Sequence, residues 1–133
     1  MSGGLILDSN AIIDFFDGNE AVDAAMRKAS RVLVPAVVYG EIQAGCQGTT
    51  RREVKMRELV TRLLDKPAVS ILPVTKTTGD FYGRIYAHLR SIGAQIPAND
   101  IWIAAAALET GAAICTRDTH LLGLPLIRTV SFW

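Results

Sequence analysis

Asp8, Glu41, Asp100 and Asp118 each stand where an apolar run or a helical stretch begins or ends. Asp8 closes Leu5-Ile6-Leu7, and Glu41 follows Val37-Val38-Tyr39-Gly40. Asp100 lies in Pro97-Ala98-Asn99-Asp100, just before the apolar stretch Ile101 to Leu108, and Asp118 follows Ala113-Ile114-Cys115-Thr116. If the fold gathers these ends, the carboxylates share one pocket, an arrangement that is electrostatically unfavourable without a cation. Oxygen donors of this kind suit Mg²⁺ or Mn²⁺, and a carboxylate-bound divalent ion is a standard device for attack of water on a phosphodiester. Each acid also has an ordinary structural use. Asp8 can cap the following helix, and Asp100 can sit favourably at a helix N-terminus. Glu41 can be a solvated helix residue and Asp118 a turn residue.

The elements that would position these side chains alternate in type. The expected strands are Leu5–Leu7, Val32–Val34 (stopped by Pro35), Val69–Leu72, Ala113–Cys115 and a short fifth at Leu126–Ile127. Helical patterns fill the intervals: from Ser9 or Asn10, from Glu20 to Ala29, from Ala36 to about Ala44 with Gly45 as a cap, from Thr49 or Thr50 through Leu64, from Thr75 to Ser91, and from Ala98 or Asn99 to Gly111. The last is apolar nearly all round and is expected to be buried, with Gly111 as its left-handed cap. Strands separated by helices imply right-handed crossovers and a parallel sheet. The expected fold is therefore α/β, a three-layer α/β/α sandwich around a central parallel sheet of about four or five strands. In open sheets of this kind function collects beyond the carboxyl ends of the strands, where Asp8 and Asp118 both stand.

Bulk properties set limits. A length of 133 residues is read as one domain spanning residues 1–133. The formal charge of +1, from 14 basic and 13 acidic residues, does not by itself mark a nucleic-acid binder, but gathering acids in one pocket leaves the remaining surface biased towards basic. Cys46 and Cys115 form no CxxC pattern, which argues against zinc or redox chemistry and fits a reducing cytoplasm. No signal peptide is visible, and the longest apolar stretch is too short to span a bilayer.

Other residues are weaker candidates. Asn10 reads as a positioning or turn residue beside Asp8, and Asp14 and Asp17 as a solvated helix face. Arg117 adjoins Asp118 and could grip a phosphate bidentately. Tyr39 and Trp102 could stack on bases, although both lie in apolar runs. His120 reads as a surface residue of a polar turn. The basic residues from Arg51 to Arg62 form either a phosphate-binding or a solvated helix face. The Phe132-Trp133 end needs cover from a dimer or a partner.

Four segments resemble the motifs of PIN domains. Leu7-Asp8-Ser9-Asn10 is similar to the opening Asp-Ser/Thr-Asn/Ser motif, and Val38-Tyr39-Gly40-Glu41-Ile42 to the second. Ile96-Pro97-Ala98-Asn99-Asp100-Ile101-Trp102-Ile103-Ala104-Ala105-Ala106-Ala107 resembles the third, the most specific, and Thr116-Arg117-Asp118 the fourth. Length and layout look like the VapC group, the toxin half of bacterial VapBC toxin–antitoxin pairs. The resemblance implies a Mg²⁺- or Mn²⁺-dependent endoribonuclease with a PIN-like fold, a homodimer, and a small cognate antitoxin. Carried onto this chain, Asp8, Glu41, Asp100 and Asp118 are the metal-holding and catalytic quartet, and Ser9 and Thr116 are hydroxyls that orient carboxylates. One departure is Leu121, where many relatives carry Phe. Two competing readings are a non-catalytic RNA- or protein-binding module on the same fold, and a phosphoaspartyl phosphotransferase with Asp8 as nucleophile. The second wants an Asp at position 10 and a late Lys, whereas the chain has Asn10 and no Lys after Lys76.

Overall fold

A computed structural model describes residues 4–130, so Phe132 and Trp133, expected to need cover, lie outside the described residues. Among the described residues, β1 (Leu5–Leu7), β2 (Val32–Pro35), β3 (Val69–Leu72), β4 (Ala113–Cys115) and β5 (Thr129–Val130) form one sheet in the order β3-β2-β1-β4-β5. Every pairing is parallel, with Leu5 opposite Val32 on one side of β1 and opposite Ala113 on the other. β1 and β2 are buried along their whole length, as central strands of a sheet covered on both faces must be.

The connections are helical: α1 (Ser9–Phe16) and α2 (Glu20–Lys28) after β1, α3 (Ala36–Ala44) and α4 (Arg51–Asp65) after β2, α5 (Lys76–Ser91) and α6 (Ala98–Thr110) after β3, and α7 (Thr119–Leu122) after β4. Right-handed crossovers carry the β1-to-β2 and β2-to-β3 connections over one face. The β3-to-β4 connection runs the opposite way along the sheet and so crosses the other. That is the expected three-layer α/β/α arrangement, with its change of direction between β1 and β4. The core is built from strand residues such as Ile6 and Ile114, both 0% exposed, and from α6, whose Ile101 and Ile103 to Ala107 are all buried. Short alanine side chains let α6 lie close to its neighbours. Gly111 ends it at φ +73°, a left-handed conformation that costs a residue with a Cβ ~1–2 kcal/mol.

Local chemistry sets the helix starts. Thr50 and Glu53 form a reciprocal cap on α4, with the Glu53 N–H donating to Thr50 Oγ1 at 3.2 Å. The Thr50 hydroxyl donates to Glu53 Oε1 at 2.7 Å and the Gly48 N–H to Oε2 at 2.8 Å, and these two bonds hold the Glu53 carboxyl below its ordinary pKa. Arg57 donates to the carbonyls of Cys46 and Gly48, both at 2.6 Å, tying α4 to the turn that leaves α3.

Two sequence expectations are corrected. The fifth strand is Thr129–Val130, not Leu126–Ile127. Pro125 interrupts the earlier segment, and the parallel bonds to β4 run from the Ile114 N–H to the Arg128 carbonyl and from the Thr116 N–H to the Val130 carbonyl. Thr116 to His120, read as a polar turn, instead lead into the short α7 (Thr119–Leu122) under an Asp118 cap, with Leu121 fully buried. Gly45 caps α3 as expected, at φ −79° and so without a left-handed turn.

Candidate active site

The acids are delivered by four different segments to one end of the sheet. Asp8 follows β1 and caps α1. It is 4% exposed, and both of its oxygens are engaged: Oδ1 accepts from the Ala11 N–H at 2.8 Å, and Oδ2 accepts from the Thr116 hydroxyl, which comes from the end of the adjacent β4. Thr116 is itself fully buried, and its Oγ1 accepts the Asp118 N–H at 2.9 Å. This pair therefore pins the two sides of the switch point together and fixes the backbone that presents Asp118. Burial pushes the Asp8 carboxyl up, against the lowering effect of these two bonds.

Glu41 projects from the second half of α3. Its Oε1 accepts from the Ser9 hydroxyl at 2.8 Å, and its Oε2 accepts from the Asn99 amide at 3.1 Å. Ser9 belongs to the first turn of α1 and Asn99 to the first turn of α6, so one carboxylate links three helices. Asp100 follows Asn99, with its side chain 14% exposed. Its pKa is pushed up to about 6, first by burial and then by the negative charges of Asp118, Glu41 and Asp8, with His120 opposing. Each of the other three acids thus acts on Asp100, which makes the convergence electrostatic as well as topological.

The tightest group of donors is Asp100, Asp118 and His120, one atom from each lying within 4.8 Å of the others. His120 Nδ1 is 3.2 Å from Asp118 Oδ1 and 3.4 Å from Asp100 Oδ2. Asp8 and Glu41 flank this group and are held by the hydrogen bonds just described.

The remaining candidates are placed as follows. Asn10 is exposed, and its side chain has no hydrogen-bond partner among the described residues. Arg117 donates from Nε to Asp14 Oδ2 at 2.8 Å, so Asp14 is a partner across the fold rather than part of a solvated face. Trp102 packs on Tyr82 with ring centroids 4.3 Å apart, and Tyr39 packs against the core. Of the basic residues on α4, Arg57 is used structurally, while Arg51, Arg52, Lys55 and Arg62 are exposed. Sequence reading passed over Asn99 and undervalued His120. Asn99 sits beside an acid in a helix-opening motif, and His120 is two residues from one, but neither spacing shows where the second partner comes from.

The donor set fits a divalent metal ion. Carboxylates face one another with little compensating charge nearby: Arg117 is paired with Asp14, and His120 is the cation-capable side chain in contact with Asp100 and Asp118. Asp8, Glu41, Asp100 and Asp118 would hold the ion directly or through water.

Comparison with known proteins shows the family and the fold. Ribonuclease VapC5 of Mycobacterium tuberculosis is 25% identical over 119 residues, covering 90% of this chain and 86% of that protein. Ribonuclease VapC4 of the same organism is 28% identical over 98 residues, covering 74% and 75%. Among solved structures, DNA-bound VapBC from Salmonella typhimurium superposes with a TM-score of 0.84 at 19% identity over the whole of both chains, a likeness of fold. The family model for the PIN domain matches residues 5–125, a span that takes in the whole sheet up to β4 and all four acids. With its acids at the carboxyl edge of a β3-β2-β1-β4-β5 sheet, this chain belongs to the PIN-domain family.

Proposed function

We propose that the chain is a Mg²⁺- or Mn²⁺-dependent endoribonuclease, the toxin of a VapBC-type pair, acting in the cytoplasm. The observation that carries this reading is the charge environment of Asp100, whose carboxyl is raised to about 6 by burial together with Asp118, Glu41 and Asp8. Carboxylates held against their own repulsion are what a divalent-cation site requires and what a merely structural cap does not. The relatives named above are ribonucleases, and solved structures of similar fold are toxin–antitoxin complexes. Transfer of that activity and of a small antitoxin partner to this chain, together with a homodimeric state, belongs to the proposal. No described helix is long and apolar enough to cross a membrane.

The ion, when bound, supplies a lowered pKa for attacking water and neutralises charge on the phosphate. The protein's residues orient and hold. Thr116 and the Ala11 N–H fix the rotamer of Asp8, and Ser9 and Asn99 fix Glu41. Arg117 has its Nε on Asp14 and a half-exposed side chain, so its terminal N–H groups can take an RNA phosphate beside the carboxylates. A phosphoaspartyl mechanism would want an Asp at position 10 and a late Lys, where the chain has Asn10 and no Lys after Lys76.

The test uses purified protein freed of any partner. It should cut structured RNA with Mg²⁺ or Mn²⁺ and stop on addition of EDTA. Asp8→Asn should lower the rate by orders of magnitude, since it removes a charged ligand while keeping the shape. Full activity in Asp8→Asn would exclude the assignment.

A further inference from the structure

His120 lies outside the acidic quartet, but its ring meets it. Nδ1 stands 3.2 Å from Asp118 Oδ1 and 3.4 Å from Asp100 Oδ2. Two donors at right angles on an octahedral ion of ~2.1 Å ligand distance stand roughly 3.0 Å apart. The imidazole nitrogen and the two carboxylate oxygens are thus spaced much as adjacent ligands of one ion. Neither contact has the direction of a side-chain hydrogen bond: the bond between His120 and Asp118 is made by the His120 backbone N–H, at 2.8 Å. The placement is fixed by the fold. Asp118 caps α7, His120 is in its first turn, and the next residue, Leu121, is anchored in the core at 0% exposure.

The chemistry of the donors differs. Carboxylates alone suit Mg²⁺, whereas an imidazole nitrogen favours transition ions, and of the two ions proposed here it favours Mn²⁺. We propose that His120 Nδ1 is a direct ligand of the ion held by Asp100 and Asp118, and that it biases this site towards Mn²⁺ over Mg²⁺. This rests on the metal-dependent reading above and adds to it a nitrogen donor and a metal preference.

The probe is the metal alone. Pulsed EPR of the wild-type protein loaded with Mn²⁺ reads any directly bonded ¹⁴N, and calorimetric titration with Mn²⁺ and separately with Mg²⁺ reads the affinities. The expected result is a ¹⁴N coupling that disappears in His120→Ala. The Mn²⁺ Kd should rise ~10-fold or more while the Mg²⁺ Kd changes less than about 3-fold. The ring is 48% exposed, so the variant should fold, and a thermal melt in EDTA checks it. Mn²⁺ bound tightly without ¹⁴N coupling, or equal losses of both ions, would overturn the role of His120 and leave the carboxylate site standing. Undiminished Mn²⁺ affinity in Asp100→Asn would overturn both.

Discussion

Asp100→Asn separates a charge held for a metal from a charge held for a helix. Position 100 lies in the first turn of α6, where a carboxylate gains ~0.3–1 kcal/mol from the helix dipole. Against this stands its neighbourhood, which raises the folded pKa from 3.8 to about 6. At 1.36 kcal/mol per unit that difference has a ceiling of about 3 kcal/mol. Because water reaches the 14% of the side chain that is exposed, ~1–2 kcal/mol is the working figure. The sign follows from linkage: the folded form holds the proton more tightly than the unfolded chain, so this group favours folding below the unfolded pKa. That advantage is lost as pH rises through the folded value of about 6. Without metal, Asp100→Asn should match wild type near pH 4 and exceed it by ~1 kcal/mol at pH 7.5, a Tm gain of roughly 3–5 °C for a chain of this size. Metal should reverse the order, since Mg²⁺ at ~10 times its Kd adds about 1.4 kcal/mol to wild type and much less to the variant. The assay is a set of thermal melts across pH in EDTA, repeated with Mg²⁺. An apo variant that is clearly less stable than wild type at every pH, beside a wild type indifferent to Mg²⁺, would refute the reasoning and make Asp100 a helix-terminal charge.

Further expectations concern the supports. Thr116→Val removes the donor to the buried Asp8 Oδ2 and should cost ~1–3 kcal/mol in urea melts, with a parallel loss of kcat; an unchanged midpoint would show that the bond carries no weight. Ser9→Ala frees Glu41 Oε1 at a partly exposed position, so metal affinity should weaken several-fold while stability stays within about 0.5 kcal/mol, read by calorimetry and melts together. Ala105→Leu should destabilise by ~1–3 kcal/mol, because α6 is closely packed at that fully buried position; a neutral result would mean spare volume beside it.

Much of the scaffold was legible because it is written locally. Val69–Leu72 and Ala113–Cys115 are short apolar runs between turn residues, and the bounds of α3 follow from Pro35 and Gly45 on either side. Thr50 and Glu53 mark the start of α4 in the sequence itself. The misses have a common cause. β5 is two residues long at the sheet edge, with no apolar run to announce it, and α7 is four residues, too short for a helical period to show. Contacts that join distant segments left no local trace: Asn99 to Glu41, Arg117 to Asp14, and His120 to Asp100 are set by strand order, which spacing alone does not encode. The acids were legible for a different reason. Asp8 and Asp118 directly follow strands and Asp100 lies in the first turn of α6, and in a parallel sheet the carboxyl ends of the strands lie together; Glu41, inside α3, was legible through the motif it resembles.

The central claim is that the acids at the β1–β4 switch point direct water at an RNA phosphodiester. Its most direct test is cleavage of a defined RNA by the purified chain with Mn²⁺ in ¹⁸O-labelled water, with the products read by mass spectrometry. Attack by water should place one ¹⁸O in the phosphate of each cut and leave a free hydroxyl on the other fragment, with no 2′,3′-cyclic phosphate, and Asp8→Asn should abolish the signal. A cyclic phosphate as the primary product, or labelled cleavage that persists in Asp8→Asn, would contradict the account.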